Sequence, residues 1–222
     1  MALERSRILE AALILLDQSG LDGLTMRRLA ETLGVKASSI YWHYPGKPAL
    51  LVDMAAAILA PVAVNVPLEL DYRGVLRLVA TQFRQALLRR RDGALLLSGR
   101  LHTTLDGLRL SQLAIASLQG DGFDTPVSEA ASFTLFNYVQ GFVLDEQALG
   151  RGSTTDMASL LRPLTVSAAT QYPAATAALA DFLDDRDARF LAGLDLILAG
   201  LHQRALADRP EDRLVAAFRS MS

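Results

Sequence analysis

Apolar side chains recur along this chain at helical spacing almost from end to end. Ile8, Ala11, Ala12, Leu15 and Leu16 fall at i, i+3, i+4, i+7 and i+8, one buried stripe of a helix over roughly 4–18. Gly20 and Gly23 mark a turn. Thr25 is placed to cap a second helix, with Leu24 and Leu29 at the hydrophobic-staple positions. That helix ends at Leu33, where Gly34 supplies the left-handed conformation of a helix C-terminus. Val35 plugs the turn. A short third helix, about 36–43, directs Ile40 inward and leaves Lys36, Ser38, Ser39, Tyr41, Trp42 and His43 on its outer faces, until Pro45-Gly46 breaks it.

A fourth helix starts near Pro48, just inside Lys47, and carries Leu50, Leu51, Met54 and Ile58 to about Ala60, before Pro61 and Pro67 end or kink it. Further helices are predicted at about 70–91, 93–99, 105–119, 125–149, 156–171, 174–183 and 187–207, with a short amphipathic tail at 211–219. Segment 150–156, Gly-Arg-Gly-Ser-Thr-Thr-Asp, reads as a mobile loop. The domains are then 1–47, three helices around a glycine turn, and 48–222, a larger helical body. The connecting helix within 48–65 is a rod and not a flexible linker.

Composition agrees with an all-α chain: 51% of the 222 residues are hydrophobic, mean hydropathy is +0.25, and alternating Val/Ile/Thr runs are nearly absent. No membrane span or secretory leader is expected, and the absence of Cys suits the cytoplasm. With three His, at 43, 102 and 202, no metal cluster and no cofactor are expected. Catalysis has no visible apparatus: no Cys nucleophile, GxSxG, phosphate loop or paired-His motif. The net charge of −2 conceals a polarity, since residues 1–47 carry six basic and five acidic side chains. Between 27 and 47 only Glu31 opposes four cations.

The layout of residues 25–47 is that of a helix-turn-helix, which presents its second helix to the major groove of DNA. Arg27 and Arg28 open one helix and Lys47 precedes another, positions suited to clamping phosphates. Three ring side chains in one turn cannot all face the core, since neighbours on a helix are about 100° apart. Tyr41 and His43 are therefore expected near the phosphate backbone, with Trp42 bridging backbone and domain core. Ser38 and Ser39 are the expected base or phosphate hydrogen-bonders, and Ala37 is placed to touch a thymine methyl. Thr25 and Lys36 complete this candidate surface.

Those residues resemble the TetR family, and most of all its tetracycline-repressor branch. The resemblance rests on Gly23-Leu24-Thr25, Arg27, Leu29-Ala30, Leu33-Gly34-Val35, Tyr41-Trp42-His43, Lys47 and Ala49-Leu50-Leu51. It resumes at Phe83-Arg84, Ala86-Leu87-Leu88, Arg91-Asp92-Gly93-Ala94, Gln112-Leu113-Ala114, Gly122-Phe123 and Val143-Leu144. It implies a helical homodimer, joined through helices 125–149 and 187–207, that reads a palindromic double-stranded operator with heads about 34–36 Å apart. The stripe Phe190, Leu191, Leu194, Ile197, Leu198 and Leu201 fits such a joint.

The resemblance also implies an effector pocket, and here the chain departs from its relatives. The family's magnesium-ligating His is Leu97, its following Thr-Arg-Pro is Arg100-Leu101-His102, and two polar pocket residues are Val79 and Asn137. Phe83 and Gln112 survive, and Asp145 stands where the family has Glu. Candidate pocket residues are thus Phe83, Leu97, Arg100, His102, Gln112, Asn137 and Asp145. The expected effector is small, largely apolar or polycyclic, and not a magnesium–tetracycline chelate. The leading expectation is a ligand-released transcriptional repressor. Beside it stand a constitutive DNA-binding regulator without effector, and a helical small-molecule carrier or enzyme with a vestigial DNA-binding domain.

Overall fold

The computed structural model describes residues 3–150 and 157–207, all helix and connecting turn with no strand among the described residues. The N-terminal domain, called the reading domain after the groove-reading role its helix-turn-helix layout predicts, comprises α1 (Arg5–Gly23), α2 (Met26–Leu33) and α3 (Ala37–Tyr41), and α4 (Lys47–Leu59) leads out of it. The body holds α5 (Tyr72–Leu88), α6 (Gly93–Leu97), a 3-10 turn at Leu101–Thr103, α7 (Leu105–Gly120), α8 (Thr125–Gly150), α9 (Met157–Ala168), α10 (Pro173–Asp184) and α11 (Arg186–Ala207). No helix among the described residues is long and apolar enough to cross a membrane. The loop expected at 150–156, apart from Gly150, and the tail expected at 211–219 lie outside the described residues.

Local chemistry accounts for the element boundaries. Thr25 caps α2, its hydroxyl accepting from the Arg28 N–H at 3.2 Å, and Gly34 closes the helix in the left-handed region at φ +66°. Asp71 and Thr104 cap α5 and α7 in the same way, through the N–H groups of Gly74 and Gly107. α1 runs beyond the expected end at 18. Gly20, at φ +72°, kinks the helix without stopping it.

The expected stripe of α1 packs against α2 and α4, with Ile8, Ala12, Leu15, Leu16, Leu24, Leu29, Ile40, Leu50 and Met54 in one core. α5 and α8 form the spine of the body, where Phe83 and Phe136 meet edge to face at 5.6 Å between ring centres. Full burial of side chains of this size contributes roughly 1.5–3 kcal/mol each. α11 lies antiparallel along α8 and buries Phe190, Leu194 and Leu198 within the protomer. The stripe expected to face a twin is therefore largely covered by the chain's own core. The apolar surface left open on this helix is Leu191 and, more strongly, Leu196 at 75% exposure.

Candidate nucleic-acid interface

Only Ile40 of the short α3 is fully buried, and this one anchor fixes which way the helix faces. Lys36, Ser38, Ser39 and Tyr41 are exposed, Ala37 packs partly against the core, and His43 is half-buried. The last turn tightens after Tyr41. The Trp42 N–H still donates to the Ser38 carbonyl, but the His43 N–H donates to that of Ile40, only three residues back. This swings Tyr44 into the core, fully buried, and leaves Trp42 85% exposed with its ring edge-on to His43 at 5.0 Å. The expected bridging role of Trp42 toward the core is corrected here: Tyr44 fills that space, and Trp42 stands in solvent beside Tyr41 and the serines.

The cations flanking this surface have partners in the free protein. Arg27 pairs with Glu31 one turn on at 3.0 Å, both well exposed, a link worth only a few tenths of a kcal/mol, about 0.3–0.5. Arg28 donates to the Gly23 carbonyl at 2.8 Å and the Ser19 hydroxyl at 2.9 Å, and Lys47 donates to the Leu21 carbonyl at 3.0 Å. Arg28 and Lys47 thus donate to terminal carbonyls of α1, where a cation is also favoured by the helix dipole. Thr25 remains exposed at the mouth of α2.

Asp53 on α4 stiffens the mount. It accepts from Arg5 at 2.8 Å and from the Tyr44 hydroxyl at 2.9 Å, while the Arg5 guanidinium lies 4.6 Å from the Tyr44 ring centre. The Arg5 hydrogen bond holds the Asp53 carboxyl below its ordinary range, against the opposing effect of burial. Burial, then the bond to Asp53, pushes the Tyr44 phenol up to about 12. Sequence reading missed this triad. Its members lie on α1, after α3 and on α4, so no spacing along the chain reveals it.

The effector candidates are not brought together. Phe83 and Leu97 are fully buried in the packed core. Arg100 folds back onto the Leu96 and Ser98 carbonyls, and His102 is exposed with its ring 5.1 Å from that of Phe133. Gln112, Asn137 and Asp145 are exposed. Two grooves border α8 and α11 and share Leu196: one of about 520 Å³, including Val127, Ala131 and Ile197, and one of about 720 Å³, including Tyr138, Phe142 and Gly193 and lined also by Ala178 and Leu179 of α10. Of the seven candidates only Asp145 lines either.

Several polar side chains to which sequence reading gave no role hold the body together. Arg84 makes a two-pronged bond to Glu146 at 2.8 and 3.0 Å, pairs with Asp187 at 2.6 Å, and lies 4.7 Å from the Phe190 ring centre. Burial opposes its charge, but the two carboxylates prevail and raise its pKa. Gln147 on α8 accepts from the Ala94 N–H and donates to the carbonyls of Leu87 and Arg90, tying α8 to the turn between α5 and α6.

That turn in turn grips the reading domain. Arg90 and the Arg91 N–H bond Asp17, the Arg91 guanidinium bonds the Gln18 carbonyl, and Asp92 accepts from the Leu21 N–H. The run Arg91-Asp92-Gly93-Ala94 was visible as a motif, but its docking site was not.

A stiffly mounted helix-turn-helix on a larger all-helical body defines the class: a helix-turn-helix transcriptional regulator. The comparisons specify it further. Residues 8–54 match the model of bacterial regulatory proteins of the tetR family, and residues 67–205 match that of the tetracyclin repressor-like C-terminal domain. The chain belongs to the TetR family. It is 38% identical over 214 residues to the tetracycline repressor protein class A from transposon 1721 of Escherichia coli, covering 93% of this chain and 94% of that one. A possible TetR family transcriptional regulator from Streptomyces coelicolor A3(2) superposes with a TM-score of 0.80 at 35% identity, over 90% of this chain and 99% of the other. A TetR variant from Acinetobacter baumannii AYE in complex with minocycline superposes with a TM-score of 0.71 at 31% identity, over 91% and 98%.

Proposed function

We propose that this chain is a ligand-responsive transcriptional repressor, acting in the cytoplasm as a homodimer on a palindromic operator and released by a small, largely apolar or polycyclic effector. The observation that carries the reading is the outward face of α3, with Ser38, Ser39, Tyr41 and Trp42 in solvent while Ile40 and Tyr44 fix its orientation. Thr25, Arg27, Arg28, Lys36, Ala37, His43 and Lys47 surround that face. In this reading Arg27 exchanges Glu31 for a phosphate, and the serines reach base edges or phosphate oxygens.

The two-fold joint runs through helices 125–149 and 187–207. Exposed Leu144, Leu191 and Leu196, with the apolar grooves bordering α8 and α11, support it as surface that association would cover. The effector is placed in the body, where Phe83, Leu97, Arg100, His102, Gln112, Asn137 and Asp145 are the candidate contacts. The relative crystallised with minocycline supports a small-molecule ligand for this chain. Leucine at position 97 favours a molecule held without an imidazole–metal bond. No catalytic step is assigned, and the chain acts by binding alone.

The test is fluorescence anisotropy with DNA tiled across the flanks of the coding region. A palindromic duplex binds the wild type, and Arg27→Ala weakens binding and lowers the slope of log affinity against log salt by about one. An unchanged slope removes Arg27 from the phosphate contacts. A regulator without effector is the second reading, favoured by the tight packing around Phe83 and Leu97. It prevails if planar apolar compounds, and minocycline with magnesium, leave operator affinity unchanged.

A further inference from the structure

α4 leaves the reading domain with both ends held, and its far end is held by a side chain to which no role has yet been assigned. Helices end with four carbonyls lacking intrahelical donors. Beyond Leu59 the chain turns sharply through 60–63, and Ala63 adopts φ +50°, a left-handed conformation that a non-glycine residue rarely takes. Arg109, reaching across from α7, covers this turn. Its guanidinium donates to the Val62 carbonyl at 2.9 Å and the Ala63 carbonyl at 3.2 Å, and lies 3.5 Å from those of Leu59 and Ala60. Asp106, one turn back on α7, steadies it at 3.4 Å. On the other side, Gln82 of α5 accepts from the Ala63 N–H at 2.7 Å. Donors and acceptors of the turn are therefore taken up by two helices of the body.

At its start α4 is fixed to α1 through Lys47 with the Leu21 carbonyl, and at its midpoint through Asp53 with Arg5. A rod clamped at both ends passes any displacement of one clamp to the other. Arginine suits the far clamp because one planar group donates to several carbonyls at once, which the single ammonium of lysine does less well. We propose that Arg109 is a positioning residue for DNA reading: its grip on the 59–63 carbonyls sets the angle at which α4 presents the reading domain, and couples that angle to α7. This rests on the DNA-binding reading above.

The experiment uses a feature of the sequence, the absence of Cys. Glu10→Cys and Ala116→Cys, both exposed and both outside the helices of the proposed two-fold joint, place one spin label on the reading domain and one on the body of the same protomer. The doubly labelled chain is diluted into excess unlabelled protein, and the distance distribution is measured by pulsed electron paramagnetic resonance without DNA. The parent gives one narrow distribution. Arg109→Met shifts or broadens it and lowers affinity for the bound duplex about tenfold, within the range typical of linked sites. Arg109→Lys lies between, and Gln82→Met, which frees the other side of the turn, moves the distribution the same way.

A cap that only stabilises would lower the melting temperature in all three variants and leave the folded-state distance unchanged, and that result overturns the proposal. Arg109→Lys and Gln82→Met keep the test open if Arg109→Met fails to fold. Should the parent bind no duplex, the DNA-binding reading fails instead, while the distances still report whether Arg109 sets the angle.

Discussion

Asp92, on the turn between α5 and α6, accepts a 2.8 Å hydrogen bond from the backbone N–H of Leu21 in the reading domain. The bond exists because Gly20 takes a left-handed conformation that turns the following N–H out of α1. A Cβ on Gly20 would lie 2.6 Å from the Asp92 carboxylate and 3.1 Å from Arg91 Nε. Two constraints meet at one glycine. Gly20→Ala is expected to destabilise the fold by more than the ordinary left-handed penalty, about 2–3 kcal/mol in urea unfolding. Asp92→Ala is expected to cost about 1–3 kcal/mol, by stranding the Leu21 N–H.

Arg84 sits between Glu146 and Asp187, with Arg84 and Glu146 only 11% exposed at their side chains. Removing one partner leaves the other charge without compensation, so Arg84→Met is expected to cost about 3–5 kcal/mol. Adding Glu146→Leu removes the stranded carboxylate and restores a large part of that loss. A urea series on the two single variants and the double variant measures the coupling. Additive losses would show that the pair is not an energetic unit.

The Arg5–Asp53–Tyr44 triad gives the reading domain a defined pH response. Asp53 titrates below its ordinary 3.8 in the fold, so its stabilisation is complete above 3.8 and is lost as pH falls through the lower folded value. Tyr44 titrates at about 12 against an ordinary 10.0, so its contribution is complete below 10.0 and is lost as pH rises toward 12. Asp53→Asn is expected to flatten the acid limb of stability against pH, and Tyr44→Phe the alkaline limb. Unfolding midpoints across those two windows check both.

Trp42 is the only tryptophan, and its 85% exposure makes it a reporter of the proposed interface. Its emission is expected at the long wavelength of a water-exposed indole, with strong acrylamide quenching. Bound duplex is expected to shift the emission to shorter wavelength and reduce quenching several-fold. Quenching that is the same with and without bound duplex would place Trp42 away from the DNA.

Local signals carried most of the element boundaries. Thr25, Gly34, Asp92-Gly93, Gly120-Asp121-Gly122 and Pro173 punctuate helices in the structure where capping and backbone chemistry say they must. The outward faces of Ser38, Ser39 and Tyr41 were equally legible, because Val35 and Ile40 already supply the core contacts of their segment. Trp42 was misjudged. Apolarity argues for burial, and only the tightened turn after Tyr41, with Tyr44 filling the core, turns the indole outward. The candidate effector residues were located along the chain by resemblance, yet resemblance places residues in a list and not around a cavity.

From the sequence alone came what short-range physics decides: helix type, length and capping, the stripe each helix buries, and a helix-turn-helix with cations on its flanks. Tertiary structure decided the long-range bonds, among them Asp92 to Leu21, Arg84 to Glu146, Gln147 to the α5–α6 turn, and Arg109 to the end of α4. The reason is that a helix's hydrogen bonds and apolar period are satisfied within a few residues, so the local order of side chains encodes them directly. A guanidinium or carboxamide finds its carbonyl only after the helices have packed, and many equally polar side chains on the same surfaces had the same chemistry without the same neighbour.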